Sequence, residues 1–255
     1  MKTMICLILD RSGSMQGREG DVIGGVNKFI AEQQALPDPA SLAMVRFDSE
    51  GIERFRPMCA LADVKPLKPA DFVPRSLTPL LDAVGQTITA LDEDWKKEKP
   101  ERCIVMIVTD GQENNSREYT KAKVAALIKA RQDSNLWAFL YLGADVDAFA
   151  EAGAMGIASA NTAGYTKSAK GVEKLYASTS HTVRRMRATG STLAHNLGVA
   201  NLGEDDDDTD APTTPPPASP ASAAWTPPAG TASAPWTPPA GTASAPPSSA
   251  WTPPV

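Results

Sequence analysis

Leu7-Ile-Leu-Asp10-Arg-Ser12-Gly-Ser14-Met15 closes an apolar run with an aspartate and then two hydroxyls at alternate positions. The run begins at Met4, and an almost unbroken apolar segment of this kind reads as a parallel strand covered by helices on both faces. Its polar cluster therefore falls at the carboxyl end of the strand, where open α/β sheets collect ligands. The loop Arg11 to Gly20 has the glycine and serine content of a tight turn. A carboxylate with two hydroxyls suits a small hard dication better than zinc, which prefers imidazole and thiolate. Taken alone, the same residues also read as a turn-forming Asp10 followed by a serine N-cap.

Two later segments add to the first. Arg102-Cys-Ile-Val-Met-Ile-Val-Thr109 is a second apolar run, and it delivers Asp110-Gly-Gln-Glu-Asn-Asn-Ser116 to its carboxyl end. Between the two runs lies Ser76-Leu-Thr78-Pro79-Leu-Leu-Asp82-Ala-Val84. Pro79 suits the first turn of a helix running toward Trp95, which presents Thr78 at the start of that helix.

In order and in context these three segments resemble the von Willebrand factor A (vWA) domain family, which includes integrin inserted domains and many bacterial proteins. The resemblance spans roughly residues 1–190 and is of bacterial or phage type. It implies a metal-ion-dependent adhesion site in which Asp10, Ser12 and Ser14 fill the D-x-S-x-S loop, Thr78 the separate threonine, and Asp110 the T-D-G aspartate. The implied cofactor is Mg²⁺ or Mn²⁺, and the implied ligand is an Asp or Glu side chain of a protein partner. One departure is Ser76-Leu77, where many members carry glycines before the threonine. The resemblance further implies a doubly wound, mostly parallel α/β sheet of about six strands with helices on both faces. Right-handed crossovers would then set the ends of the first and fourth strands side by side, so that Asp10 and Asp110 could share an ion.

The rest of the body alternates strand and helix as a parallel sheet requires. Helices are predicted over Val22 to Gln34, with Val22, Val26, Phe29 and Ile30 inward, and over Pro79 to Trp95, Tyr119 to Arg131 and Gly171 to Arg187. The last carries Val172, Leu175, Tyr176, Thr179, Val183 and Met186 on one stripe, the pattern of a core-facing helix. Leu42 to Phe47 and Ile52 to Met58 flank Asp48-Ser49-Glu50-Gly51 as a hairpin, making one edge strand antiparallel; Leu136 to Leu142 is another strand, and a short final one falls between Ile157 and Tyr165.

Beyond Leu202 the composition changes. Six acidic residues lie between Glu204 and Asp210, and no Lys or Arg follows Asn201, so the body is formally +1 and the tail −6. Fourteen of the 22 prolines lie beyond residue 210, a stretch that includes the repeat Trp225-Thr-Pro-Pro-Ala-Gly-Thr-Ala-Ser-Ala-Pro235, its copy from Trp236 to Pro246 and the truncated Trp251-Thr-Pro-Pro-Val255. The chain thus divides into a body at 1–190, a linker with an acidic run at 191–210, and a Pro/Ala/Thr-rich tail at 211–255 expected to be disordered, with polyproline II character at the Thr-Pro-Pro steps. That tail reads either as a spacer or as a multivalent ligand for a domain that binds proline-rich segments. A third reading has the acidic run reach back and occupy the metal site.

Three cysteines without a C-x-x-C pair, two of them in predicted buried strands and Cys59 after the edge strand, form neither a disulfide framework nor a zinc site. The first apolar run is too short for a secretory or membrane segment, so a soluble cytoplasmic protein is expected. The two histidines, His181 and His195, lie away from the metal loops. Arg184, Arg185 and Arg187 read as a solvated basic face, and no basic stripe interleaved with aromatics indicates nucleic acid. The expected function is a metal-dependent protein-binding module without catalysis. The enzymatic alternative, a phosphatase with Asp10 as nucleophile, lacks the second aspartate of D-x-D, since Ser12 stands there.

Overall fold

Thr3–Asp10, strand β1, is buried along its entire length because it sits at the centre of a sheet covered on both sides. The computed structural model describes residues 1–110, 112–144, 148–165, 168–194 and 197. The chain divides into two units, Met1–Asp206 and Asp207–Val255. The predicted proline-rich tail, the acidic run and His195 all lie outside the described residues.

Six strands form one sheet among the described residues, in the order β3-β2-β1-β4-β5-β6. After β1 come α1 (Glu19–Gln34), β2 (Ala40–Asp48), β3 (Gly51–Ala60), α2 (Leu80–Glu98), β4 (Arg102–Thr109), α3 (Lys121–Gln132), β5 (Trp137–Ala144), α4 (Ala148–Ala154), β6 (Thr162–Tyr165) and α5 (Ala169–Thr189). All pairings are parallel except β2 with β3, the hairpin expected from the sequence, whose register is broken by irregularities on either side of Met44. This is the doubly wound arrangement, with its topological switch between β1 and β4.

Alternation along β1 sends Ile5, Leu7 and Leu9 to one face and Met4, Cys6 and Ile8 to the other. The first face packs against α1 through Val22, Val26, Phe29 and Ile30 and against α5 through Val172, Leu175, Tyr176, Val183 and Met186, and its core extends to Ala194 and Leu197. The second packs against α2, α3 and α4 through Leu80, Val84, Ile88, Val124, Ile128 and Ala152. α1 and α5 touch where Gly25 meets the Tyr176 ring: a Cβ at Gly25 would stand 2.1 Å from Tyr176 Cδ2.

Three expectations are corrected here. Arg187 is buried and does not belong to a solvated basic face with the exposed Arg184 and Arg185. It donates to the carbonyl of Gln33 at 2.8 Å, to Gln33 Oε1 at 3.1 Å and to the carbonyl of Asp38 at 2.6 Å, a cation at the carboxyl end of α1 where the helix dipole favours positive charge. Cys59 lies inside β3 rather than after it. α4 has no counterpart in the predicted elements; it is short, and its Ala/Gly-rich sequence carries no apolar period. Cys6 and Cys103 are buried free thiols, and burial pushes the Cys6 thiol up to about 12.

Candidate functional site

β1 and β4 pair in register through Leu9 and Val108, so the segments that leave their carboxyl ends start side by side. From Asp10 the chain turns through a short 3-10 segment, Gly13–Met15, into α1. Asp10 is fully buried and both of its oxygens are engaged. Oδ1 accepts the Ser12 N–H at 2.7 Å and Oδ2 accepts the Thr109 hydroxyl at 2.6 Å. The Ser12 and Ser14 hydroxyls stand 3.0 Å apart, and Ser14 Oγ donates to Asp110 Oδ1 at 2.5 Å. The other Asp110 oxygen pairs with the Arg18 guanidinium. Four of the five predicted ligands, Asp10, Ser12, Ser14 and Asp110, thus belong to one hydrogen-bonded chain.

Thr78 reaches the same place through its backbone. Its N–H donates to Asn114 Oδ1 at 2.9 Å, and its carbonyl accepts the Asn114 N–H at 3.2 Å. The loop before it is laced to the first loop: the Gly13 N–H donates to the Ser76 carbonyl at 2.9 Å and the Arg75 N–H to the Arg11 carbonyl at 2.8 Å. Ser76 has φ +65°, the left-handed region that favours glycine, so a serine here is strained unless its surroundings hold it. Here the Ser76 hydroxyl hydrogen-bonds Ser49 Oγ, which also accepts the Leu77 N–H at 3.1 Å, so a side chain from the β2–β3 turn steadies the conformation. Thr78 is buried at 3% exposure rather than standing at an exposed rim; Leu77, beside it, is half exposed.

Burial pushes the Asp10 carboxyl up to about 6 against the hydrogen bonds from Thr109 and Ser12, and the nearby Asp110 charge adds to the rise. Asp48, at the end of β2, behaves oppositely. Its side chain is fully covered, and burial alone would raise it, but hydrogen bonds from Arg75 and the Glu50 N–H and the charge of Arg11 hold it below the usual carboxylate range. Arg11 Nη2 lies 2.7 Å and Arg75 Nε 3.0 Å from Asp48 Oδ2. One buried carboxylate therefore clamps a residue from each of two site loops.

Sequence reading missed Arg18, Thr109, Asn114 and Asp48. Thr109 and Asn114 flank Asp110 in the quoted segment and carry the right polar atoms, so they could have been marked. Arg18 and Asp48 act across 92 and 37 positions, a distance no local pattern spans. Among the described residues no three His, Cys, Asp or Glu side chains cluster as a metal site; the donor set is two carboxylates and hydroxyls. Such a set fits a hard dication that keeps water, because hydroxyl and water oxygens complete its shell. His181 is exposed on α5 and takes no part.

No protein-family model matches the chain, and no curated protein matches its sequence. Solved structures do match. The pilus adhesin SpaC from Lactobacillus rhamnosus GG, in its open conformation, aligns over 75% of this chain and 30% of its own, at 15% identity and TM-score 0.58. Proximal thread matrix protein 1 from the mussel byssus aligns over 70% of this chain and 45% of its own, at 13% identity and TM-score 0.51. The SpRpn10 VWA domain aligns over 68% of this chain and 93% of its own, at 12% identity and TM-score 0.50. The chain therefore spans less than half of the first two. At these identities the likeness shows the fold, and that fold is vWA-like.

Proposed function

We propose that the protein is a metal-dependent protein-interaction module that captures an acidic side chain of a partner through a dication at the carboxyl ends of β1 and β4. The observation that carries this reading is the unbroken chain from Asp10 through Ser12 and Ser14 to Asp110, drawn from two separate strand ends and bonded within 3.0 Å at every step. Ser12, Ser14 and Thr78 would offer hydroxyl oxygens, and Asp10 and Asp110 would ligate directly or hold coordinated water. A bound Mg²⁺ or Mn²⁺ would supply an electrophilic position for an outside carboxylate oxygen. The chain's own residues fix the loops, keep the two carboxylates apart from bulk water, and present the half-exposed Leu77 as an apolar contact beside the site.

Two further observations favour this reading. The fold is shared with an adhesin and with a VWA domain, which makes an interaction role the nearest precedent. The Asp10 carboxylate is wholly covered with both oxygens hydrogen-bonded, a poor disposition for a nucleophile that must meet a phosphoester in line. No helix among the described residues is long and apolar enough to cross a membrane.

The test is a titration of the full chain with Mg²⁺ and Mn²⁺ by calorimetry, beside Asp10→Ala, Ser12→Ala and Asp110→Ala, followed by capture from the native host with and without EDTA. One saturable site lost in the folded variants, with EDTA-sensitive retention of the same partner, is the expected result. Metal binding unchanged in all three variants would remove the assignment, and turnover of a generic phosphoester abolished by Asp10→Asn would favour the enzyme.

A further inference from the structure

Arg18 has no part in the donor set, yet its guanidinium pairs with Asp110, whose side chain is fully covered. Arg18 is itself one-fifth exposed and occupies the N-cap position of α1, at φ −122° and ψ 8°, without a side-chain bond to the helix backbone. The residue before it, Gly17, has φ +83°, and the Arg18 N–H donates to the Met15 carbonyl at 3.2 Å, so Arg18 stands on a turn and only its side chain, not the helix, is needed to reach Asp110. Without Arg18 the site would hold two covered carboxylates, Asp10 and Asp110, linked through Ser12 and Ser14 with no cation between them. With it, Asp110 keeps a positive partner in the absence of any ion.

We propose that Arg18 is a resident competitor of the dication: guanidinium and metal take Asp110 by turns, and Arg18 sets how much metal is needed to load the site. This deepens the metal-centre reading and rests on it. A cation in contact with Asp110 cancels part of the attraction that the carboxylate pair offers to a second cation, and in a covered site that loss is large. The competition costs the protein little when metal is scarce, since the buried carboxylate never stands unpaired.

The experiment compares the full-length wild type with Arg18→Gln, which removes the charge but keeps a hydrogen-bond donor, and with Arg18→Met, which keeps the length of the stem. Asp10→Asn serves as the blank that subtracts any ion held by the acidic run 204–210. Calorimetric titration with Mn²⁺ alone should give an affinity at least about tenfold tighter for either folded variant than for wild type. In EDTA each variant should melt below wild type, and saturating Mn²⁺ should narrow the gap. Arg18→Lys, which retains the charge, should return the affinity toward that of wild type. Equal or weaker Mn²⁺ binding by the folded variants, with wild type still binding above the blank, overturns the role of Arg18 and leaves the metal centre standing. No binding above the blank by any of the proteins overturns the metal centre and this inference with it.

Discussion

Thr78 and Asn114 hold each other: the Thr78 N–H donates to Asn114 Oδ1 at 2.9 Å while the Asn114 N–H donates to the Thr78 carbonyl at 3.2 Å. The pair fixes the loop before α2 against the loop after β4. Asn114→Ala should therefore weaken Mg²⁺ binding several-fold although no ligand is removed, at a stability cost of about 1 kcal/mol. Thr78→Ala, which removes a hydroxyl and leaves the backbone pair, should cost about tenfold in metal affinity, or about 1.4 kcal/mol, with circular dichroism unchanged. Calorimetry and urea unfolding on the two variants, run together, separate loop position from ligation.

Asp48 is the buried anchor for Arg11 and Arg75. Asp48→Ala leaves the Arg11 guanidinium, 6% exposed, without its carboxylate. The expected loss is about 3 kcal/mol, as when one partner of a buried ion pair is removed. Urea denaturation measures it, and a loss below about 1 kcal/mol would place this pair with ordinary surface salt bridges.

Gly24 and Gly25 are adjacent in α1 and should respond in opposite directions. A Cβ at Gly25 would enter the Tyr176 ring, which is buried and cannot give way, so Gly25→Ala should destabilise by about 1–3 kcal/mol. At Gly24 a Cβ meets nothing within 4 Å, and Gly24→Ala should stabilise by about 0.5–1 kcal/mol through helix propensity. Thermal unfolding of the two single variants is sufficient to decide.

The Asp10 carboxyl titrates at about 6 in the folded protein against an ordinary value of 3.8. As pH rises from below 3.8, the unfolded chain loses this proton first, so the native state binds more protons over that interval and its stability falls. The contribution is fully present below 3.8, is lost as pH passes through about 6 and stays level above. Asp10→Asn should remove this component when metal-free wild type and variant are melted across the range. A pH profile identical in the two proteins would mean that Asp10 is not raised.

Much of the fold is written locally. β1 and β4 are apolar without interruption because both of their faces are covered, and the carboxylates that close them follow directly in the chain. The stripe from Val172 to Met186 likewise announces α5. What the sequence conceals are charges that act at a distance. Asp48 reads as a turn former beside Ser49 and Gly51, yet it accepts two arginines from other loops. Arg187 sits among exposed arginines but four residues after Val183, at the margin of the apolar stripe, and the packing of α5 on α1 gives it the Gln33 and Asp38 carbonyls as partners. Thr78 shows its place in the motif but not its burial, which depends on how the neighbouring loop folds over it.

The broken register between β2 and β3 bears on how the protein behaves when crowded. β3 is the last strand on its side, and an open strand edge invites pairing with another chain. This one has shifts on either side of Met44 in its partner, a proline at Pro57 that offers no N–H, and Glu53, Arg54 and Arg56 along its length. A second molecule would have to match an irregular hydrogen-bond spacing and bring charge against charge. The hairpin thus doubles as a guard against edge-to-edge aggregation on the β3 side of the sheet, while the other edge, β6, is limited to the four residues Thr162–Tyr165.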